Sequence, residues 1–371
     1  MPEDETVTDS KRGRPVAQVD TVDTVDTAET VEGGAVAWRT RVRRAIVACS
    51  RPGPWKRGPV LAALALLLGL LLMLHAKIPN RIGNLGSLVE TFLPWFGLFV
   101  PVLLAGALWR RSASAVAALL LPVVVWLNLY GGLLGDKSRP GGDLIVVSHN
   151  VGAENPDPAG TARDLAASGA DVLALEELTE HATGTYEKEL AKAYPFHATQ
   201  GTVGLWSRLP LSDTRPIDIK MDYGPLAATK PLDMAEIRAL RTTVTTDQGP
   251  LVMYVAHLAS ARVNPRGGFT TDQRDRGAQA LGEAVAAEPN KRVVLLGDLN
   301  GAMDDRAFAD LTAQLRSAQD VAGDGFGFTW PAGFPVARID QILVRGVEPA
   351  RSWVLPATGS DHRPVAAAIG W

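Results

Sequence analysis

Residues 59–74 read PVLAALALLLGLLLML without a single charge, and apolar stretches of the same kind follow at about 91–109 and 113–135. Each approaches or exceeds the roughly 18 to 20 apolar residues that a helix needs to cross about 30 Å of hydrocarbon. Three such runs in close succession argue against a buried hairpin of one globular core, and the first begins too late in the chain to be a cleaved leader. Three transmembrane helices are therefore expected over 59–135. Pro94, Pro101 and Pro122 fall inside these runs, where neighbouring helices can satisfy the backbone groups that proline frees. Glu90 and Asn128 are polar exceptions, expected at an interface or between packed helices.

Basic residues set the expected orientation. Arg39, Arg41, Arg43, Arg44, Arg51, Lys56 and Arg57 precede the first run and Arg110 and Arg111 separate the second from the third, whereas Lys77, Arg81, Lys137 and Arg139 flank the opposite ends. The excess of positive charge at one side predicts a cytoplasmic N-terminus. Three crossings then place everything beyond about residue 136 outside the cell. The segment 1–58 reads as a cytoplasmic tail: VDTVDTVDT at 19–27 is an acidic repeat without an apolar face, and WRTRVRRAIV at 38–47 is a basic juxtamembrane stretch suited to an anionic leaflet or to fixing topology. The sole cysteine, Cys49, lies here, so the exported part contains no disulfide.

Past the Gly-, Pro- and charge-rich linker at 135–143 the pattern changes. Short β-branched runs, LIVVSHN, DVLALEE, TVGLWS, RALRTTVTT, LVMYVAHL, RVVLLGDLN, IDQILV and PVAAAI, alternate with helical stretches near 161–168, 178–193, 273–287 and 306–315. Several strands are apolar on both faces, as strands covered by a layer on each side are. Residues 140–371 are thus expected to form one layered α/β domain. Residues 136–371 carry 23 Lys and Arg against 30 Asp and Glu, a net charge of −7, which lacks the basic footprint of a surface that binds DNA through its phosphates.

Polar residues suited to metal or phosphate gather at the C-terminal ends of these strands: Asn150, Glu176 and Glu177, His257, Asp298 and Asn300, then Asp340, and finally Asp361 and His362 in GSDHRPV close to the last residue. One Asn or Asp after a strand is ordinarily a turn or cap, and one histidine in an apolar strand a hydrogen-bonded core residue. Six strand ends repeating the arrangement point to a ligand site.

In order and wording, SHN, LALEEL, VAHL, LLGDLN, RIDQIL and SDHRPV resemble the motifs of the endonuclease/exonuclease/phosphatase, or DNase I-like, superfamily over about residues 143–371. The resemblance implies a four-layer α/β sandwich, here preceded by the three transmembrane helices, and metal-dependent hydrolysis of a phosphoric ester. It implies Mg²⁺, with Mn²⁺ as an alternative, held by Glu177 and Asp361. Asp298 would orient or deprotonate the attacking water. His362, with Asp340 fixing its ring, would contact the phosphate or exchange a proton, and Asn150, Asn300 and His257 would donate hydrogen bonds to the phosphate. Glu176 stands where the family usually has glutamine, so it either adds charge to the site or faces away. Gln341 replaces a frequent aromatic, and the tyrosine of the DNA-repair branch has no counterpart, so a repair function is not carried over. The three-span anchor also resembles that of actinobacterial VanJ-type teicoplanin-resistance proteins. Together these imply a lipid or lipid-linked phosphate substrate of the cell envelope, of the undecaprenyl type, rather than nucleic acid. The competing expectations are an extracellular nuclease and a catalytically inactive envelope scaffold.

Overall fold

The computed structural model describes residues 53–219 and 237–371. The acidic repeat, the arginine-rich stretch at 38–47 and Cys49 lie outside the described residues.

Helix α1 (Pro59–Leu74) is apolar all round and continues through a 3₁₀ turn, His75–Lys77. A short helix α2 (Leu85–Thr91) follows, then a 3₁₀ stretch Leu93–Leu98 that passes into α3 (Phe99–Trp109). Ser112 caps α4 (Ala113–Ala118) by accepting from the Ala115 N–H, and α5 (Leu120–Tyr130) completes the bundle. Two helical segments, Pro59–Lys77 and Ala113–Leu133, are long and apolar enough to cross a membrane. The pair Leu85–Thr91 and Leu93–Trp109 qualifies only as one broken unit, bent by 68°. The expected second run, about 91–109, corresponds to the second half of this pair, Leu93–Trp109, and the bend falls at its start, at Phe92 just before Pro94. Outward-facing Leu64, Leu67, Val102, Leu120 and Val124 stay exposed, a pattern that suits lipid rather than water.

One end of the bundle carries Arg57, whose carbonyl accepts from Ser112 Oγ beside Arg110 and Arg111. The other end meets the rest of the chain. Trp95 Nε1 donates to the Val336 carbonyl at 2.7 Å, and Trp95, Phe328, Phe326, Tyr130 and Trp126 form a run of ring contacts. Glu90, buried, binds Arg306 Nη2 at 2.7 Å. Arg306 is only half-buried, but the Glu90 carboxylate is fully buried and accepts three of its hydrogen bonds, which ties α2 to the following domain.

The domain that follows is built on two six-stranded sheets. The first contains β1 (Leu144–Asn150), β2 (Val172–Glu176), β3 (Phe196–Gln200), β4 (Val203–Ser207), β13 (Glu348–Val354) and β14 (Val365–Gly370), in the order β13-β14-β1-β2-β4-β3. The second contains β5 (Leu211–Pro216), β6 (Ala239–Thr246), β7 (Gly249–Ala256), β10 (Val293–Asp298), β11 (Arg316–Ser317) and β12 (Asp340–Arg345), in the order β11-β12-β10-β7-β6-β5. Each sheet has one parallel pair, β1 with β2 and β7 with β10, flanked by antiparallel neighbours. A small hairpin, β8 (Arg262–Asn264) with β9 (Gly268–Thr270), stands apart and docks on the membrane segment through Phe269 N–H to the Gly83 carbonyl, 2.8 Å.

The sheets pack face to face. Val146, Ala174, Leu205 and Ile369 of the first meet Leu240, Met253, Leu296 and Ile342 of the second, all buried. The outer face of the first sheet is covered by α6 (Pro158–Ala167) and α7 (Glu180–Leu190) through Leu165, Tyr186 and Leu190. That of the second is covered by α8 (Asp272–Ala286) and α9 (Ala309–Thr312) through Leu281, Val285 and Leu311. This helix–sheet–sheet–helix order gives four layers, and it explains why the central strands β1, β2, β4 and β10 are apolar on both faces. A last short helix, α10 (Ala318–Ala322), follows β11.

Candidate active site

Both parallel pairs run toward the same end of the sandwich, and this brings the polar residues together. In register, Asn150 at the end of β1 lies beside Glu176 at the end of β2, and Asp298 at the end of β10 lies opposite Asp340 at the start of β12. His257 follows β7, and His362 arrives from the turn before β14. All of these except Asn300 are buried, unusual for charged groups unless they are paired.

Asp298 is at the centre. Its Oδ2 accepts from Asn150 Nδ2 at 3.0 Å and Asn300 Nδ2 at 3.1 Å, and its Oδ1 accepts from the Asn300 backbone N–H at 2.9 Å. His257 Nε2 lies 3.7 Å and His362 Nε2 3.8 Å from the same Oδ2. His362 Nδ1 donates to Asp340 Oδ2 at 2.9 Å, and Thr329 Oγ1 donates to that oxygen at 2.5 Å. The partner of His362 thus comes from a distant strand and not from adjacent Asp361. Asp298, Asp340 and His362 bring their ligand atoms within 4.8 Å of one another.

Glu177 and Asp361, the two carboxylates that the sequence assigned to the metal, lie outside this tight group but on the same cleft. Glu177 adopts φ 60°, its Oε2 accepts the Ala153 N–H at 2.9 Å, and its Oε1 is 3.5 Å from His257 Nε2. The left-handed backbone lets the chain leave β2 and turn this side chain into the cleft, whereas Glu176, the last strand residue, points into the buried interior. Asp361 is exposed and accepts from Trp330 Nε1 at 3.3 Å.

The Asn300 amide departs from the sequence expectation. Asn150 donates to Asp298 and accepts the Gly152 N–H at 3.0 Å, and Asn300 Nδ2 is shared between Asp298 and the Leu258 carbonyl. These bonds hold Asp298 in place; they use both Asn300 Nδ2–H groups but only one of the two on Asn150. Sequence reasoning also missed Thr329, which orients Asp340, and Ser360, which donates to the Asn150 carbonyl at 2.7 Å and accepts the His362 N–H. Ordinary loop serines and threonines carry no sequence signal.

Burial alone would lower the His362 imidazole, but the Asp340 carboxylate overrides it and the ring is held up at about 10. Burial, reinforced by Asp340, pushes Asp298 up to about 7. Burial and the Arg238 guanidinium push His257 well below its ordinary value. Glu176 is driven well above the carboxylate range by burial and then by Asp340. Its Oε1 accepts from Ser148 Oγ at 2.9 Å and its Oε2 has no hydrogen-bond partner. Glu176 thus lies in the buried interior beside Ser148 and does not line the cleft.

A cavity of about 430 Å³ opens over these groups, lined by Glu177, Asp298, Asn300, Asp361 and His362. Thr91 and Phe92 of the apolar helical region and Arg262, Val263 and Phe269 of the β8–β9 hairpin line it as well. Residues 147–362, more than half of the sequence, match the endonuclease/exonuclease/phosphatase family. The chain belongs to that family. It is therefore a phosphoester hydrolase, and the family depends on a divalent metal. No curated protein matches the sequence. Among solved structures, a functionally unknown conserved protein from Enterococcus faecalis V583 is similar at TM-score 0.50 and 14% identity, covering 61% of this chain and 99% of that one. D. rerio TDP2 complexed with a single-strand DNA product is similar at TM-score 0.50 and 19% identity, covering 62% and 99%. Both likenesses concern the fold.

The residues fit a divalent cation. Carboxylate oxygens of Glu177, Asp298 and Asp361 line one cleft, the donor chemistry that a hard ion prefers. The crowding that raises Asp298 is the imbalance such an ion relieves.

Proposed function

We propose that this protein is a membrane-anchored, Mg²⁺-dependent phosphoesterase that cleaves a phosphodiester or pyrophosphate in a lipid-linked substrate of the cell envelope. The observation that carries the reading is the composition of the cleft: the carboxylates of Glu177, Asp298 and Asp361 and the His362 imidazole line it together with apolar Phe92, Val263 and Phe269. A phosphate group fits the polar lining and an apolar tail the apolar lining. The acidic domain, net −7 over 136–371, supports the same choice over nucleic acid. An undecaprenyl-type carrier and altered glycopeptide (teicoplanin) sensitivity are the specific substrate and phenotype we infer.

We read the membrane segment as three passes, Pro59–Lys77, Leu93–Trp109 and Ala113–Leu133. The middle one, with six 3₁₀ and eleven α residues, spans about 28 Å, close to the hydrocarbon thickness. The arginines at the Arg57–Ser112 end then mark the cytoplasmic side, and the domain lies outside.

In the reaction we infer, Glu177 and Asp361 would hold Mg²⁺, and the ion would supply neutralisation of the charge that builds on the phosphoryl oxygens. Asp298, locked by Asn150 and Asn300, orients the attacking water and accepts its proton. His362, its Nδ1–H committed to Asp340, presents Nε2 toward Asp298 and the cleft, where a proton can pass to the leaving oxygen. His257, whose ring burial and Arg238 push well below its ordinary value, lies 3.7 Å from Asp298 and contacts the phosphate beside it.

The test is the full chain in detergent with Mg²⁺, offered undecaprenyl pyrophosphate, phospholipid vesicles and plasmid DNA. Release of phosphate or a phosphomonoester from a lipid, with plasmid intact, is the expected result. Phe92→Ser or Val263→Ser should raise KM for the lipid and leave hydrolysis of soluble bis(4-nitrophenyl) phosphate unchanged. Plasmid cleavage without lipid turnover would overturn the lipid reading in favour of a nuclease, and inertness toward every phosphoester would favour a scaffold.

A further inference from the structure

Three consecutive residues of the loop that leaves β10 are each held by a different residue of the membrane segment. Tyr130 Oη donates to Asp304 Oδ2 at 3.0 Å. Ser87 Oγ donates to Asp305 Oδ1 at 3.1 Å. Glu90 accepts from Arg306 through its backbone N–H at 3.2 Å, Nε at 3.1 Å and Nη2 at 2.7 Å. Arg306 also donates to the carbonyls of Ile78 and His75, where α1 ends. The attachment reaches the site itself. Asp305 Oδ2 accepts from Arg274 Nη2 at 2.5 Å, and Arg274 Nη1 donates to the Asn300 carbonyl at 3.2 Å. Asn300 in turn binds Asp298 through both its backbone and its amide.

The part of this chain that runs through Ser87, Asp305 and Arg274 is dry, while Arg306 and Asn300 are half-buried and Asp304 is exposed. Ser87, Glu90, Asp305 and Arg274 are all at most 1% exposed. Buried hydrogen bonds between charged groups are short and directional, so a shift of α2 has no solvent to absorb it. Asn80 fixes Ser87 from behind, its Oδ1 accepting the Ser87 N–H at 3.0 Å and its Nδ2 donating to Ser87 Oγ at 2.9 Å.

We propose that Ser87, Glu90 and Tyr130 of the membrane segment are positioning residues for the active site, holding loop 298–306 so that Asn300 and Asp298 keep their catalytic geometry. The membrane segment is on this account a working part of the enzyme as well as its anchor. The proposal rests on the reading of Asp298 as the water-orienting group.

The experiment uses the full chain in detergent with Mg²⁺ and bis(4-nitrophenyl) phosphate, a soluble probe that needs no membrane to reach the site. Ser87→Ala, Glu90→Gln and Tyr130→Phe are compared with Val102→Ala, whose side chain faces outward from α3. Variants with an unfolding transition are expected to lose about 10- to 100-fold in kcat, the scale of a displacement of about 1 Å at the chemistry. KM should stay within about twofold, as for a group that acts on the reacting geometry and not on binding. Val102→Ala should match the parent. A purely structural contact would lower the unfolding midpoint and leave kcat of the folded protein intact, so wild-type kcat in all three variants overturns the proposal. Should Glu90→Gln fail to fold, the double variant Glu90→Leu/Arg306→Met removes the pair from both ends and is read the same way. Asp298→Ala separates the two ideas: its inactivity supports the underlying site, whereas full activity there sinks the site reading and this proposal together.

Discussion

Gly297 precedes Asp298, and replacing it with alanine tests how the site is held. The parallel ladder of β10 and β7 runs as far as Leu296 and Val255. At the next position Gly297 has φ +150°, and a Cβ there would run into the carbonyl oxygen, carbon and nitrogen of Ala256. A flexible side-chain tip could swing away from such a methyl, but a strand backbone cannot. The end of β10 must therefore move off β7, and the residues that follow these two positions are Asp298 and His257. Forcing a methyl into a filled core costs about 1–3 kcal/mol, and a glycine-type φ in alanine adds roughly 1–2 kcal/mol. Together they give a loss of about 2–5 kcal/mol. At about 2–4 °C per kcal/mol for a domain of this size, the unfolding midpoint should fall by about 4–20 °C. A displacement of about 1 Å between Asp298 and His257 should cost on the order of 100-fold in kcat. Calorimetry of the full chain in detergent and hydrolysis of bis(4-nitrophenyl) phosphate measure the two quantities. A Gly297→Ala protein that melts with the parent and keeps its kcat within about twofold would show that the approach of β10 to β7 does not set the site.

Other substitutions probe the groups individually. Asp340→Asn should lower kcat by about 100- to 10,000-fold, the usual contribution of a positioned acid or base, with KM little changed; an unaltered kcat would show that His362 needs no carboxylate partner. Thr329→Val, which removes the hydroxyl bound to Asp340 Oδ2, should leave that acceptor short of a donor and cost about 1–3 kcal/mol in a denaturant titration. EDTA should abolish turnover and added Mg²⁺ restore it; turnover that persists in excess chelator would remove the metal from the account.

What was legible in the sequence followed burial. Strands β1, β2, β4, β6, β7, β10, β12 and β14 lie inside their sheets, so their apolar runs stood out. Of the six strands without such a run, β3, β5, β11 and β13 are the edges of the two sheets, and β8 and β9 form the short separate hairpin. Their burial is low, as in PheHisAlaThrGln of β3 and LeuSerAspThrArgPro of β5, because an edge needs neither two apolar faces nor a strong pattern, and polar edges resist sheet-to-sheet aggregation. The stretch at 306–315 read as one helix but divides into a 3₁₀ turn, Arg306–Phe308, and α9, since Asp305 caps the turn while binding Ser87. No local periodicity encodes that contact.

For the site, residue types at strand ends were enough to nominate the participants, because a layered α/β sheet sends the ends of its parallel strands to one edge whatever their order. Which atoms face one another was a different matter. Asn150 and Asn300 were read as phosphate donors, yet both turn toward Asp298. Glu176 and Glu177 are neighbours in sequence and opposite in environment, one buried beside Ser148 and the other in the cleft.

The order of apolar and polar residues by itself determined that this chain has helices long and apolar enough to cross a membrane and a layered catalytic domain, since hydrophobic length and alternation are properties of contiguous stretches. Only the tertiary structure decided that Phe92 lines the cleft and that Glu90 grips Arg306, more than 200 residues away. Hydrophobic pattern is written locally, whereas an ion pair of this kind depends on how separate elements are brought together, and that is set by the packing of the whole.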